Sequence, residues 1–322
     1  KEMIYPLLEE NATGGGWLGC YPQLTASWRI VCPWSGPQFI KYRMTEFVDK
    51  GLSCLCGYAT PNNRLYEFNV VAAAEWTWNA HGRDEREFSA AYFTRQGVAD
   101  PDAAAEWAMT LGPVGWDVYG ARVPYYWVHG KAAALVEARR APKLGVHAFR
   151  YFESPERFDE DLAAVDKAMA IARELDEPVL IAETQAIGGY VTMLKMLHDM
   201  ALIVSVPDPP TEAQREQLND QMHTMAQACA DTVDGLNAWE TVCGPGIGTS
   251  RFTDTMDATN RAASDTGKAL RPFGVQDPGA GYGRTVVGEW VSDDFEENVR
   301  ITKTWEVTEA ISGAGVYHAT FN

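Results

Sequence analysis

The sequence is short of the features that mark membrane, nucleic-acid and metal proteins. No run approaches the ~20 consecutive apolar residues of a membrane-spanning helix, so no membrane partner is expected. Positive charge is scarce: 27 Lys and Arg stand against 44 Asp and Glu, a formal net charge of −17. Such a balance repels phosphate backbones and argues against nucleic acid as a partner, whereas a neutral ligand such as a sugar is indifferent to it. Histidines number six and none is spaced with a second His or a Cys as metal ligands are, so no metal is expected. His-Glu-x-x-His, Gly-x-Ser-x-Gly and the phosphate loop ending Gly-Lys-Ser or Gly-Lys-Thr are missing. Gly244-x-Gly246-x-Gly248 follows a helical pattern and not a strand, so it is no dinucleotide fingerprint, and no cofactor is expected. The six cysteines are too few to be the framework of a chain this long. Cys54-x-Cys56 lacks the two-residue spacer of redox and zinc motifs, and alternation places both thiols on one face of a strand, to be read as buried and reduced.

What is present divides into three parts. Residues 1–80 read as strand, helix, strand, helix. Gly16 to Pro22 and Leu52 to Tyr58 are the short apolar runs, Phe39 to Lys50 a helix with Ile40, Met44, Phe47 and Val48 inward, and Tyr66 to Trp78 an Ala-rich helix. That is the pattern of a parallel sheet covered by helices. Residues 81–243 are helical. Asp100-Pro101 and Thr211-x-x-Gln214 are start signals, and one apolar stripe per helix predicts an antiparallel bundle. Gly112 to Gly145, rich in Gly, Pro and aromatics (Trp116, Tyr119, Tyr125, Tyr126, Trp127), reads as loop around one short helix. Residues 244–322 read as a linker, one polar helix over Ala258 to Leu270, and alternating strands at 285–291, 298–307 and 315–321.

The segment Glu75-Trp76-Thr77-Trp78-Asn79 lies at the seam between the first two parts, and its two Trp residues predict that the seam is packed. It resembles the Ala-(Glu or Asp)-Tyr-x-Trp-Asn segment that ends the catalytic barrel in glycosidases of the β-N-acetylhexosaminidase and O-GlcNAcase (bacterial hyaluronidase) type, with Trp76 in place of Tyr. Tyr21-Pro22 likewise resembles the end of their Trp-Asp-Asn-Tyr-Pro strand, without its Asp and Asn, and Thr60-Pro61-Asn62 keeps only the Pro of their Asn-Pro-Met. The resemblance implies a mixed α/β fold: the last strand–helix units of a (β/α)8-type barrel, then a mainly α-helical bundle domain, then the start of an antiparallel β-sandwich.

It further implies part of a glycoside hydrolase acting on β-linked (N-acetyl)hexosaminides, with a carbohydrate substrate. Tyr21, Trp34, Tyr58 and Asn62 are the candidate sugar contacts. Aromatic faces stack on pyranose C–H faces, and an Asn amide both donates to and accepts from hydroxyls. Glu75, Trp76, Trp78 and Asn79 form the structural motif. No catalytic residue is assigned. The family's adjacent acids follow a barrel strand that would lie upstream of Lys1; of the adjacent acids here only Asp293-Asp294 follows a strand-like run, and it reads as part of a solvated hairpin turn. The chain is therefore expected to be a piece of a longer protein, inactive alone and partnered by that protein's missing N-terminal part. Its closing alternation at Gly315 to Phe321 points the same way. A non-catalytic carbohydrate-binding or scaffold module is the alternative. The sequence gives no cellular address; a glycan-active protein favours an extracellular or periplasmic one.

Overall fold

The computed structural model describes residues 5–22, 24, 30–57, 63–243, 249–276, 287–294 and 299–306. The chain is mainly α-helical. In order come α1 (Pro6–Thr13), strand β1 (Gly19–Cys20), α2 (Pro37–Asp49), β2 (Cys54–Leu55), α3 (Glu67–Trp78), α4 (Glu85–Gln96) and α5 (Pro101–Gly120). They are followed by α6 (Val123–Val128), α7 (Lys131–Glu137), α8 (Glu156–Glu174), α9 (Pro178–Val204), α10 (Glu212–Cys243), α11 (Thr249–Leu270), β3 (Val287–Asp294) and β4 (Val299–Glu306).

The mixed α/β expectation is overturned. β1 and β2 are parallel, but they pair only as Gly19 with Cys54 and Cys20 with Leu55. No third strand joins them among the described residues, so no barrel end is formed. β3 and β4 make one antiparallel hairpin, with no second sheet among the described residues to start a sandwich. The third expected strand, 315–321, lies outside the described residues. Glycine and proline break the apolar runs before a ladder can lengthen, and α2 packs on α3 and α5 in place of a sheet. Trp17 is 72% exposed, so the first run is not a buried strand. Cys54 and Cys56 are exposed as well, and all six thiols are unbridged.

The stripes of α9 and α10 behave as their spacing predicts, whereas on α2 Ile40, Met44 and Phe47 are buried but Val48 is 40% exposed. On α9, Ile187, Val191, Leu194, Leu197, Ala201 and Val204 are all buried; on α10, so are Leu218, Met222, Met225, Cys229, Val233 and Leu236. Thr211 and Gln214 form the reciprocal capping box before α10, with Gln214 N–H donating to Thr211 Oγ1 at 3.3 Å and Thr211 N–H to Gln214 Oε1 at 2.9 Å. Asp100 caps α5 by accepting from Ala103 N–H at 3.0 Å. α9 is long and apolar enough by composition to cross a membrane, yet it is the central helix, sheathed by α5, α8 and α10. It approaches α10 closely because a Cβ on Gly189 would fall 2.1 Å from Thr232 Oγ1, and one on Gly235 2.7 Å from Ala186 N.

One helix overran its expected end. α5 continues through Gly112 and Pro113 to Gly120. Pro113 keeps its ring exposed, while Gly112 and Gly115 let another segment lie against the helix at close range. That approach builds the site described next.

Candidate functional site

The closely approaching segment is Pro33-Trp34-Ser35-Gly36, an irregular stretch that is largely buried and must satisfy its polar groups within the protein. Three elements do so. From α3, buried Asn69 donates through Nδ2 to Trp34 O at 2.7 Å and accepts from Gly36 N–H through Oδ1 at 3.1 Å. From α9, Glu183 accepts from Ser35 Oγ at 3.0 Å. From α5, the Gly112 carbonyl accepts from Trp34 Nε1 at 3.2 Å. Trp34 itself is only 2% exposed. A Cβ on Gly36 would fall 2.0 Å from its ring and one on Gly115 2.7 Å from it, so both positions exclude larger residues.

Trp34 is the base of an aromatic stack. Tyr119 lies nearly parallel to it at 4.7 Å between ring centroids, and Trp116 and Phe39 meet it at 5.1 and 5.6 Å. Phe39, Trp116 and Tyr119 are half-buried, and their outer sides line a cleft of about 1100 Å³. α2 supplies Phe39, Tyr42 and Arg43 to this cleft, the end of α5 supplies Trp116 and Tyr119, and the start of α6 supplies Arg122 and Tyr126. The remaining wall is the 145–153 stretch, with His147, Arg150, Tyr151 and Glu153. That stretch is closed on itself by Gly145 N–H, which donates to both Phe149 O at 3.0 Å and Phe152 O at 2.9 Å. Phe152 stacks on Phe158 of α8 at 4.4 Å, anchoring the stretch from beneath. Tyr151 meets Trp116 at 5.8 Å and Tyr126 meets His147 at 6.0 Å.

The electrostatics run against the rest of the chain. In a protein of net charge −17, the cleft is lined by Arg43, Arg122, Arg150 and His147 and by one carboxylate, Glu153. Arg43 lies 5.4 Å from the Phe39 ring centroid and 5.7 Å from that of Phe47, and its buried Nε has no hydrogen-bond acceptor. Burial pushes its guanidinium down from the ordinary arginine range. Burial pushes the Tyr119 phenol up, with buried Cys32 adding to the rise and Arg43 and Arg122 pulling against it.

The residues singled out from the sequence fall elsewhere or behind this surface. Tyr21 is 65% exposed and lies outside the cleft lining. Trp34 supports the lining rings from below. Tyr58 and Asn62 lie outside the described residues. In the Glu75–Asn79 motif, Trp76 is fully buried against Phe88 and donates to Arg83 O at 3.0 Å, while Trp78 is 93% exposed, so one of the two expected Trp residues packs the seam. Glu75 pairs with Arg83 at 3.4 Å, and Asn79 accepts from Gly82 N–H through its carbonyl, which closes the turn between α3 and α4. The lining residues of α5 and α6 were missed, although the aromatic density of Gly112 to Gly145 was their signal. Among the described residues no three His, Cys, Asp or Glu are grouped to hold a metal. No protein-family model, curated protein or solved structure matches the chain.

Proposed function

We propose that this chain binds a carbohydrate in the cleft between α2, α5, α6 and the 145–153 stretch. The observation that carries the reading is the cluster of half-buried rings packed around Trp116, namely Phe39, Tyr119 and Tyr151, bordered by hydrogen-bonding groups. Flat apolar faces beside polar edges suit a pyranose, which has C–H faces and a hydroxyl rim. Rigid backing by Trp34 means that little order has to be gained on binding.

Binding without cleavage is the reading favoured for this chain by itself. Hydrolysis of a glycosidic bond ordinarily takes two carboxyl groups. The cleft lining holds one, Glu153. The hydrolase that the Glu75–Asn79 segment resembles would need a second acid from elsewhere. Calorimetric titration with chito-oligosaccharides, repeated on Trp116→Ala, is the test. Saturable binding that the substitution abolishes supports the reading, and undiminished binding by Trp116→Ala removes the cleft from it. An aryl N-acetylglucosaminide incubated with the same protein should release no aryl alcohol; turnover would overturn the non-catalytic part.

A further inference from the structure

We infer that the saccharide carries a negatively charged substituent, a carboxylate or a sulfate, held by Arg122 and Arg150 on the α6 side of the cleft. This rests on the carbohydrate reading and adds to it a requirement that aromatic stacking alone does not impose.

The first support is the charge of the cleft lining, which opposes that of the chain. Acidic side chains outnumber basic ones by 44 to 27 in the chain, yet Arg43 lies over the Phe39 and Phe47 rings at the cleft, Arg150 lies over the Tyr151 ring at 5.5 Å, and Arg122 lines the same wall. Arg43, Arg122, Arg150 and His147 against one carboxylate, Glu153, around one cleft are a local reversal of the protein's field, focused by low-dielectric aromatic walls.

The second support is backbone conformation. Among the described residues four non-glycines have positive φ, and two of them line this cleft: Arg122 at 59° and His147 at 53°. A left-handed conformation is unfavourable for a side-chain-bearing residue and persists where surrounding structure over-determines it. Here it turns the chain between α5 and α6 at Arg122, and inside the loop closed by Gly145 at His147. The third support is Arg43, whose buried Nε lacks an acceptor beside the same cleft. A buried donor of this kind ordinarily has a partner.

Carboxylate and sulfate share the chemistry that fits: oxygens able to accept paired N–H bonds from a planar guanidinium. Phe39, Trp116, Tyr119 and Tyr151 would hold the ring while the guanidiniums read its charged group. The overall −17 charge then disfavours anions everywhere else on the surface, so that the charge preference is local to this cleft.

The test compares matched ligands on the full chain by calorimetry: chitotetraose, its 6-O-sulfated form, a hexuronate-bearing tetrasaccharide, and that tetrasaccharide with its carboxyls reduced to alcohols. Charged members should bind roughly tenfold or more tightly than their neutral twins at low ionic strength, with the advantage shrinking as salt is added. Sulfate preference without uronate preference, or the reverse, identifies the group and supports the inference either way. The advantage should fall to about twofold or less in Arg122→Gln/Arg150→Gln, and by a smaller factor in Arg150→Gln alone, an exposed position whose change leaves folding intact, while Arg173→Gln on α8 leaves it unchanged. Equal binding of charged and neutral twins would overturn the inference and leave the carbohydrate reading standing. A charge advantage undiminished by the double substitution would place the anion elsewhere. No binding of any member at millimolar concentration would overturn both.

Discussion

Two arginine environments flank the end of α5, and they are opposites. One residue before Asp117, Trp116 faces the cleft; Asp117 itself faces α8 and meets Arg157, with Arg157 Nη2 at 2.7 Å and Nε at 3.1 Å from its Oδ2. The same guanidinium reaches Asp161 at 3.0 Å and Glu160 at 3.4 Å. Burial raises the Asp117 and Asp161 carboxyls above the ordinary range, against the pull of Arg157. In that cluster the positive charge is consumed by the fold. Around the cleft, Arg122 and Arg150 are exposed and have no carboxylate partner among the described residues, Arg150 lying 5.5 Å from the Tyr151 ring centroid. Residue type alone therefore says little about role: Arg157 meets three carboxylates, whereas Arg122 and Arg150 line a cleft.

Replacing the engaged arginine should have the largest effect. Arg157→Met leaves two buried carboxyls without their cation and should cost about 3–5 kcal/mol in urea unfolding. Arg150→Met should fall within about 0.5 kcal/mol of the parent. Equal losses at the two positions would break the comparison.

Glu183 is the mirror case, a buried carboxyl with no cation beside it. Burial pushes it up to about 7, partly offset by the hydrogen bonds from Ser35. Below its ordinary value of 4.5 it is protonated in both folded and unfolded chains; between there and about 7 the folded protein retains a proton that the unfolded chain has released. Stability should therefore fall as pH rises through that window, by up to about 3 kcal/mol, and level off above it. Glu183→Gln should flatten the slope while keeping an acceptor for Ser35. A slope unchanged in that variant would assign the pH dependence to other groups, Asp161 first.

The cleft floor offers a smaller test. Gly115→Ala places a methyl 2.7 Å from the Trp34 ring and should cost about 1–3 kcal/mol while weakening saccharide binding, because Tyr119 and Trp116 rest on that ring. Loss of stability with binding untouched would show that the floor does not position the lining.

These sites differ in how far the sequence announced them. The apolar stripes of α9 and α10 and the Thr211–Gln214 cap were legible because spacing and capping are local. Glu183 and Asp161 were not, because a carboxyl's burial depends on which helices happen to cover it. α5 was cut short in the sequence reading because Gly112 and Pro113 look like breakers; both are tolerated, Pro113 on the exposed side and Gly112 where the Trp34 segment needs room. That misjudged end hid Trp116 and Tyr119, and with them the cleft. The barrel expectation failed for the opposite reason. Two real parallel pairings, Gly19 with Cys54 and Cys20 with Leu55, were extrapolated into a sheet that the surrounding Gly and Pro do not sustain.

The smallest effect is also the one that separates stability from binding. Arg122 holds φ at 59°, a conformation that glycine adopts without strain. Arg122→Gly should relieve on the order of 1–2 kcal/mol and lose part of that to the greater freedom of glycine in the unfolded chain. The net result should be a gain between zero and about 1 kcal/mol, read as a small rise in the urea midpoint. The same variant should lose much of the preference for charged over neutral saccharides. At Arg157, inside α8, glycine would add helix destabilisation of about 1 kcal/mol to the broken ion pairs. A stability loss at Arg122→Gly beyond about 0.5 kcal/mol would mean that its side chain is engaged by the fold after all, and the contrast with Arg157 would become one of degree.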